Sequence, residues 1–157
     1  MTAPGTGPSV SPVVGPVVGP VVGPVVGPVV GTVVTHRRYV AHSHAHYAGG
    51  LVDGAFGLGL FGDVATEMCI RTDGDEGLFA SYDDVQFLAP VRAGDVVEVR
   101  AELVAVGRRS RRLALELRVV ARGAGTHGRP GAAVLLDEPL LATRASGTVV
   151  VPGPEAA

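Results

Sequence analysis

Four glycines interrupt the one stretch of this chain that carries helical periodicity. Leu51, Phe56, Leu60, Val64 and Met68 recur at helical spacing, and Gly54, Gly57, Gly59 and Gly62 fall between them. Each glycine costs up to about 1 kcal/mol relative to alanine in a helix interior. A helix keeps four of them where a neighbouring element packs too closely for side chains. A sheet curled around the helix meets that condition, and the rest of the chain supplies its strands. Residues 78–91 form a run ended by Pro90 and the turn Arg92-Ala93-Gly94-Asp95. Val97, Val99, Ala101 and Leu103 alternate with Glu98, Arg100 and Glu102, which predicts a half-buried strand over 96–106. Residues 112–120 alternate again, 121–130 read as a Gly-rich loop, and 139–151 as a last strand. A shorter first strand is expected over 36–43. One long helix followed by an antiparallel meander predicts an α+β fold, a curved antiparallel sheet wrapped around one helix.

The N-terminal stretch obeys different rules. Residues 12–31 read Pro-Val-Val-Gly five times, and Thr32-Val33-Val34 follow. Proline at every fourth position removes backbone donors and fixes φ, while glycine restores freedom, so neither helix nor sheet ladder is expected. The organisation expected is a disordered, elastin-like arm over 1–34 and one folded domain over 35–157. The arm reads as a dispensable repeat expansion more readily than as a tether for self-association. It has neither the charged start nor the unbroken apolar run of a signal peptide.

Composition excludes several partners. A net charge of −2 and a pI near 6.2 provide no basic field for nucleic acid or an anionic membrane, and all 13 cationic side chains are arginine. No apolar run approaches the roughly 20 residues that span a bilayer. A single cysteine, Cys69, rules out a disulfide framework and suggests a reducing, cytoplasmic compartment.

Several phrases together resemble a known family. Asp84-Val85-Gln86-Phe87-Leu88-Ala89-Pro90-Val91-Arg92-Ala93-Gly94-Asp95 and Val106-Gly107-Arg108-Arg109-Ser110 look like strand turns of the hotdog fold. Ala45-His46-Tyr47 with Gly49, Leu51-Val52, Gly54-Ala55, Gly62-Asp63-Val64 and Thr66-Glu67 resemble the β-aminoacyl-CoA ammonia lyases, of 3-aminobutyryl-CoA and β-alanyl-CoA type. Asp73-Gly74-Asp75 with Leu78-Phe79, and Glu138-Pro139 ahead of Gly147, add to the match, which covers residues 36–151. His44 stands where some members carry an acid, and the repeat arm has no counterpart.

The resemblance implies reversible loss of ammonia from a β-aminoacyl thioester, with coenzyme A or an acyl-carrier protein as the carrier. Coenzyme A is then part of the substrate, and no cofactor or metal is expected. The reaction needs a base for the α-proton, donors for the enolate oxygen, and control of protons at the amine. Gly49 and Gly50, read as lying just before the helix, would direct backbone N–H groups at the thioester oxygen. Asp63 and Glu67 are four residues apart on one helical face. Partial burial there would raise a carboxyl pKa, with Glu67 favoured as the base and Asp63 as partner of the substrate ammonium. His46 is a candidate for orienting the thioester or moving a proton, and Tyr47 for a substrate contact or a half-buried aromatic.

His42, His44 and His46 alternate, so an extended segment would point all three one way, yet no further ligand stands near and metal binding is not expected. Arg108, Arg109 and Arg111 at a strand turn are either a solvated hairpin or a grip on coenzyme A phosphates. Two other activities stay open. One is an acyl-CoA thioesterase, whose water-activating acid commonly follows the helix start by about seven residues; counting from Gly54 reaches Phe61, and from Gly50 reaches Gly57. The other is a non-catalytic acyl-thioester-binding protein. A homodimer or multiple of one is expected, since a curled sheet leaves an edge strand open to pairing.

Overall fold

The apolar alternation marks the strands, but that expected over 112–120 runs on to 123, into the expected loop, and the last begins at 133 rather than 139; the computed structural model, which describes residues 25–153, shows what they enclose. Strands β1 (Val33–Tyr39), β4 (Leu78–Phe87), β5 (Val96–Val106), β6 (Ser110–Gly123) and β7 (Ala133–Val150) form one antiparallel sheet in the order β1-β5-β6-β7-β4. Short strands β2 (Ala45–Tyr47) and β3 (Leu51–Val52) pair with each other beside it. Among the described residues one α-helix, α1 (Gly54–Asp73), is present, and it lies across the concave face. The fold is the hotdog fold.

Side-chain parity builds the core. Val97, Val99, Ala101 and Leu103 on β5, with Leu113, Leu115, Leu117 and Val119 on β6, are buried, and their alternate neighbours face outward. Phe61, Val64, Ala65, Met68 and Cys69 of α1 meet them from the other side. Burying a large aliphatic side chain contributes roughly 1.5–3 kcal/mol, so these rows fix the sheet's register by burying one parity.

Only two of the four helix glycines are explained by the sheet. A Cβ on Gly54 would meet the Phe87 ring at 2.5 Å, and one on Gly57 would reach Leu117 at 3.4 Å. Gly59 and Gly62 have nothing within 4 Å and face away from the sheet. The helix also begins later than its periodicity suggests. Asp53 is its N-cap, accepting a hydrogen bond from Phe56 N–H at 3.0 Å, and Leu51 belongs to β3.

The folded part begins before residue 35. Val33 and Val34 lie in β1, Val34 buried, and Gly31 and Thr32 continue the pairing through Gly31 N–H to Leu103 O at 2.8 Å and Leu103 N–H to Thr32 O at 2.9 Å. Val33-Val34 reads like one more repeat, but no proline follows, so the ladder to β5 runs on unbroken through Thr35 and His36. Val25, Val26 and Gly27 border a hollow with Ile70 and Arg71 near the end of α1. The expectation of a disordered arm falls for residues 1–24 outside the described residues.

Candidate active site

A cleft of ≈ 420 Å³ opens at the start of α1. The helix contributes Asp53, Gly54, Phe56 and Gly57. Tyr47 and Val52 come from the small β2–β3 pair, Phe87 to Val91 from the end of β4 and the chain beyond it, and Thr143 from β7. The first four N–H groups of any helix lack intrahelical partners, and Asp53 takes the one of Phe56. Gly54 lines the cleft and Ala55 follows it, and neither N–H is taken up by that cap; both lie at the positive end of the helix dipole, where a developing oxyanion is stabilised.

Among the residues singled out in the sequence, His46 and Tyr47 stand here. Tyr47 lines the cleft, and the His46 ring meets it edge-on, centroids 4.6 Å apart. His46 Nδ1 lies 3.7 Å from Asp53 Oδ2, so a carboxylate and an imidazole face each other at the mouth. The helical spacing starts at Leu51 and so passes over Asp53; an Asp immediately before the first helical turn is the signal that marks it.

Gly49 and Gly50 do not stand directly before the helix. They form a short 3-10 turn (Ala48–Gly50) at φ +74°, and β3 and Asp53 separate them from the helix. His42–His44 is likewise a 3-10 turn, so the alternating histidines are not held in an extended row. His44 instead packs on Phe56, centroids 4.6 Å apart. Among the described residues no three His, Cys, Asp or Glu side chains are grouped to hold a metal ion.

Asp63 and Glu67 lie elsewhere. At 1.5 Å per residue they are about 15 and 21 Å along the helix from Asp53. They face β1, where a second cleft of ≈ 260 Å³ is bordered by His36, Arg38, Leu60 and Asp63. Asp63 is mostly exposed, 3.9 Å from Arg38. Glu67 binds His36 through Oε2 and Arg71 through Oε1. The bond from His36 foremost, against a smaller upward push from burial, and then Arg71 hold its carboxyl below the ordinary value. The expected raised pKa does not occur, because partners outweigh desolvation.

The arginine cluster divides. Arg108 and Arg109 are exposed on the β5–β6 turn, at the C-terminal end of α1 and thus far from the cleft of the same chain. Arg111 is not available to a phosphate. It is buried, with Nε donating to Asp73 Oδ2 at 3.0 Å, a second bond to Oδ1, and others to the carbonyls of Gly107 and Ser110. Burial pushes the Asp73 carboxyl up, but the bonds from Arg111 and Thr72 outweigh it and leave it below its ordinary value.

Phe61, where a thioesterase acid was sought, is fully buried in the core. Gly57, the other position counted to, carries no side chain.

Comparisons with known proteins agree with this architecture. The thioesterase superfamily model matches residues 51–124. The 3-aminobutyryl-CoA ammonia lyase of Acetoanaerobium sticklandii is 52% identical over 117 residues, covering 73% of this chain and 90% of that protein. The solved β-alanyl-CoA:ammonia lyase of Clostridium propionicum superposes with a TM-score of 0.74 at 35% identity, over 78% of this chain and 87% of that one. An acyl-CoA hydrolase of Staphylococcus aureus, solved with butyryl coenzyme A, shares the fold at a TM-score of 0.61 and 20% identity, over 78% and 65% of the two chains. By its identity with the first of these across most of both chains, this chain belongs to the β-aminoacyl-CoA ammonia lyase family of the thioesterase superfamily.

Proposed function

We propose that this protein eliminates ammonia, reversibly, from a β-aminoacyl-CoA of the 3-aminobutyryl or β-alanyl kind. The observation that carries the reading is its likeness to 3-aminobutyryl-CoA ammonia lyase along most of that protein's length. The cleft at the start of α1 suits the chemistry. The thioester oxygen accepts from the N–H groups of Gly54 and Ala55, which lowers the cost of enolate character at the α-carbon. His46, held against Asp53, takes the α-proton. The Cβ–N bond breaks, the carbon–carbon double bond forms, and the proton passes from His46 to the departing ammonia. Coenzyme A is part of the substrate, and no step here calls on a metal or an organic cofactor.

Hydrolysis is disfavoured by the buried Phe61, which puts no acid where a thioesterase would hold its water-activating group. The edge strand β4 supports a homodimer, with exposed Leu78 and Phe87 at its ends. Sedimentation at micromolar protein reads that state directly, and a monomer would refute it.

Incubation with ammonium and either crotonyl-CoA or acryloyl-CoA tests the reaction. The expected product is the amine adduct, seen by mass spectrometry. Release of free coenzyme A without adduct would replace this reading with hydrolysis.

A further inference from the structure

Strand β7 turns residues 143, 145, 147 and 149 inward, and three of them are Ala145, Gly147 and Val149. The fourth is Thr143, the one polar side chain in that row, with 4% of its surface exposed. It stands where the ladders shift: β6 pairs Leu117 with Thr143 and then Arg118 with Leu141. Its partner on β4 is Phe87, the last pair of that ladder. Irregularities of this kind re-aim a side chain, and here the result is a threonine in the wall of the cleft. A Cβ on Gly57 would be 3.8 Å from Thr143 Oγ1, so the missing side chain leaves the hydroxyl beside the first turn of α1 unobstructed. Among the described residues no group hydrogen-bonds to that hydroxyl. Among the described residues no side-chain polar atom is both fully buried and unpaired, so this hydroxyl opens to the cleft; covering it with a ligand that offers no hydrogen bond costs about 1–3 kcal/mol.

Across the same cleft Asp53 has one oxygen engaged by Phe56 N–H, while Oδ2 faces His46 at a distance longer than a hydrogen bond. An anionic oxygen and a hydroxyl without a protein partner thus line one cleft. The carboxylate can only accept and the hydroxyl can accept as well as donate, so the pair suits a primary ammonium, whereas the carboxylate would repel a carbonyl oxygen.

We infer that Thr143 and Asp53 together bind the β-ammonium group of the substrate and set the preference for amino over plain acyl chains. The inference rests on placing the thioester in this cleft. The ammonium donates one hydrogen to Thr143 Oγ1 and another to Asp53 Oδ2, while the thioester oxygen lies at the helix N–H groups. Propionyl-CoA, which lacks the ammonium, leaves the hydroxyl unpaired, so the same residue counts against it.

The test uses the β-alanyl and propionyl amide analogues of coenzyme A, whose less acidic α-protons resist elimination. Titration calorimetry on the full-length protein gives the ratio of their dissociation constants. The wild type should favour the β-alanyl amide, and Thr143→Val should cut that preference on the order of tenfold, the scale of one hydrogen bond to a charged group. Thr143→Ser should keep most of it. Thr143→Ala, which places no added methyl against its neighbours, carries the same expectation as the valine variant should that one fold poorly. Asp53→Asn should lower the preference further. Equal binding of the two analogues by the wild type, or an unchanged preference in both Thr143→Val and Thr143→Ala, would overturn the assignment. A protein that forms no amine adduct from enoyl-CoA, yet shows a Thr143-dependent preference for the ammonium analogue, would retain this site and lose only the lyase reading.

Discussion

Glu67 and His46 are both plausible proton acceptors by residue type, and their surroundings separate them. Both Glu67 oxygens are engaged, Oε2 by the His36 ring and Oε1 by Arg71, and these bonds favour the charged carboxylate and weaken it as a base. His46 meets one carboxylate at the cleft and is otherwise open. His46→Ala should therefore lose at least roughly 100-fold in turnover, the low end for a positioned general base, while Glu67→Gln should lose less. Exchange of the substrate α-proton in deuterated solvent measures the step itself; exchange lost in Glu67→Gln and kept in His46→Ala would reverse the assignment. At this scale the sequence was partly legible. His46 and Tyr47 stood out as chemistry beside glycines. Thr143 could not stand out, because a threonine in an alternating strand is ordinary until a register shift is known. The burial of Arg111 is legible by parity, since it shares the inward face of Leu113, Leu115 and Leu117, whereas Arg112 does not.

Helix α1 is fixed at its two ends by two aspartates in opposite roles. Asp53 caps the start and stays half-open to the cleft; Asp73, at the last turn, is buried against Arg111. The Asp73 carboxyl has a folded pKa below its unfolded value of about 3.9, so its stabilisation is complete above that value and lost as pH falls through the lower folded one. Acid unfolding of the wild type should steepen below about pH 4, and Asp73→Asn should flatten that limb while lowering stability at neutral pH. Arg111→Ala should cost about 3–5 kcal/mol at pH 7, since it leaves a buried charge unpaired. Chemical denaturation across pH 2.5 to 7 reads both; parallel curves for wild type and Asp73→Asn would show that the pair contributes nothing to the pH dependence. The periodicity of α1 was plain in the sequence, but its first residue was not. Leu51 fits the helical spacing and is drawn into β3 by pairing with Tyr47, a contact no local pattern records.

Across the whole molecule the two ends of α1 divide the labour. The cleft occupies one end, and the hollow bordered by Val25, Val26 and Gly27 adjoins Ile70 and Arg71 at the other. Removal of residues 1–24 should leave melting, sedimentation and turnover close to those of the full chain. Removal of 1–34 should be destabilising, because it strips Val33 and buried Val34 from β1, by an amount in the 1–3 kcal/mol range of a large buried side chain. Equal stability of the two truncations would show that β1 gains nothing from its first residues. The strand pattern of β5 and β6 made the architecture legible, whereas the start of β1 was hidden inside a repetitive Val-Val.

The five Pro-Val-Val-Gly units are identical, and residues 25–27 belong to the fourth of them. Gain or loss of one whole unit, the commonest outcome of slippage when a short tandem tract is copied, would present the same Val-Val-Gly to the same hollow and leave Gly31 and Thr32 on Leu103. The tract can thus change length in steps of four without altering a contact that the folded domain makes, whereas a change of any other length would put a different residue against Ile70.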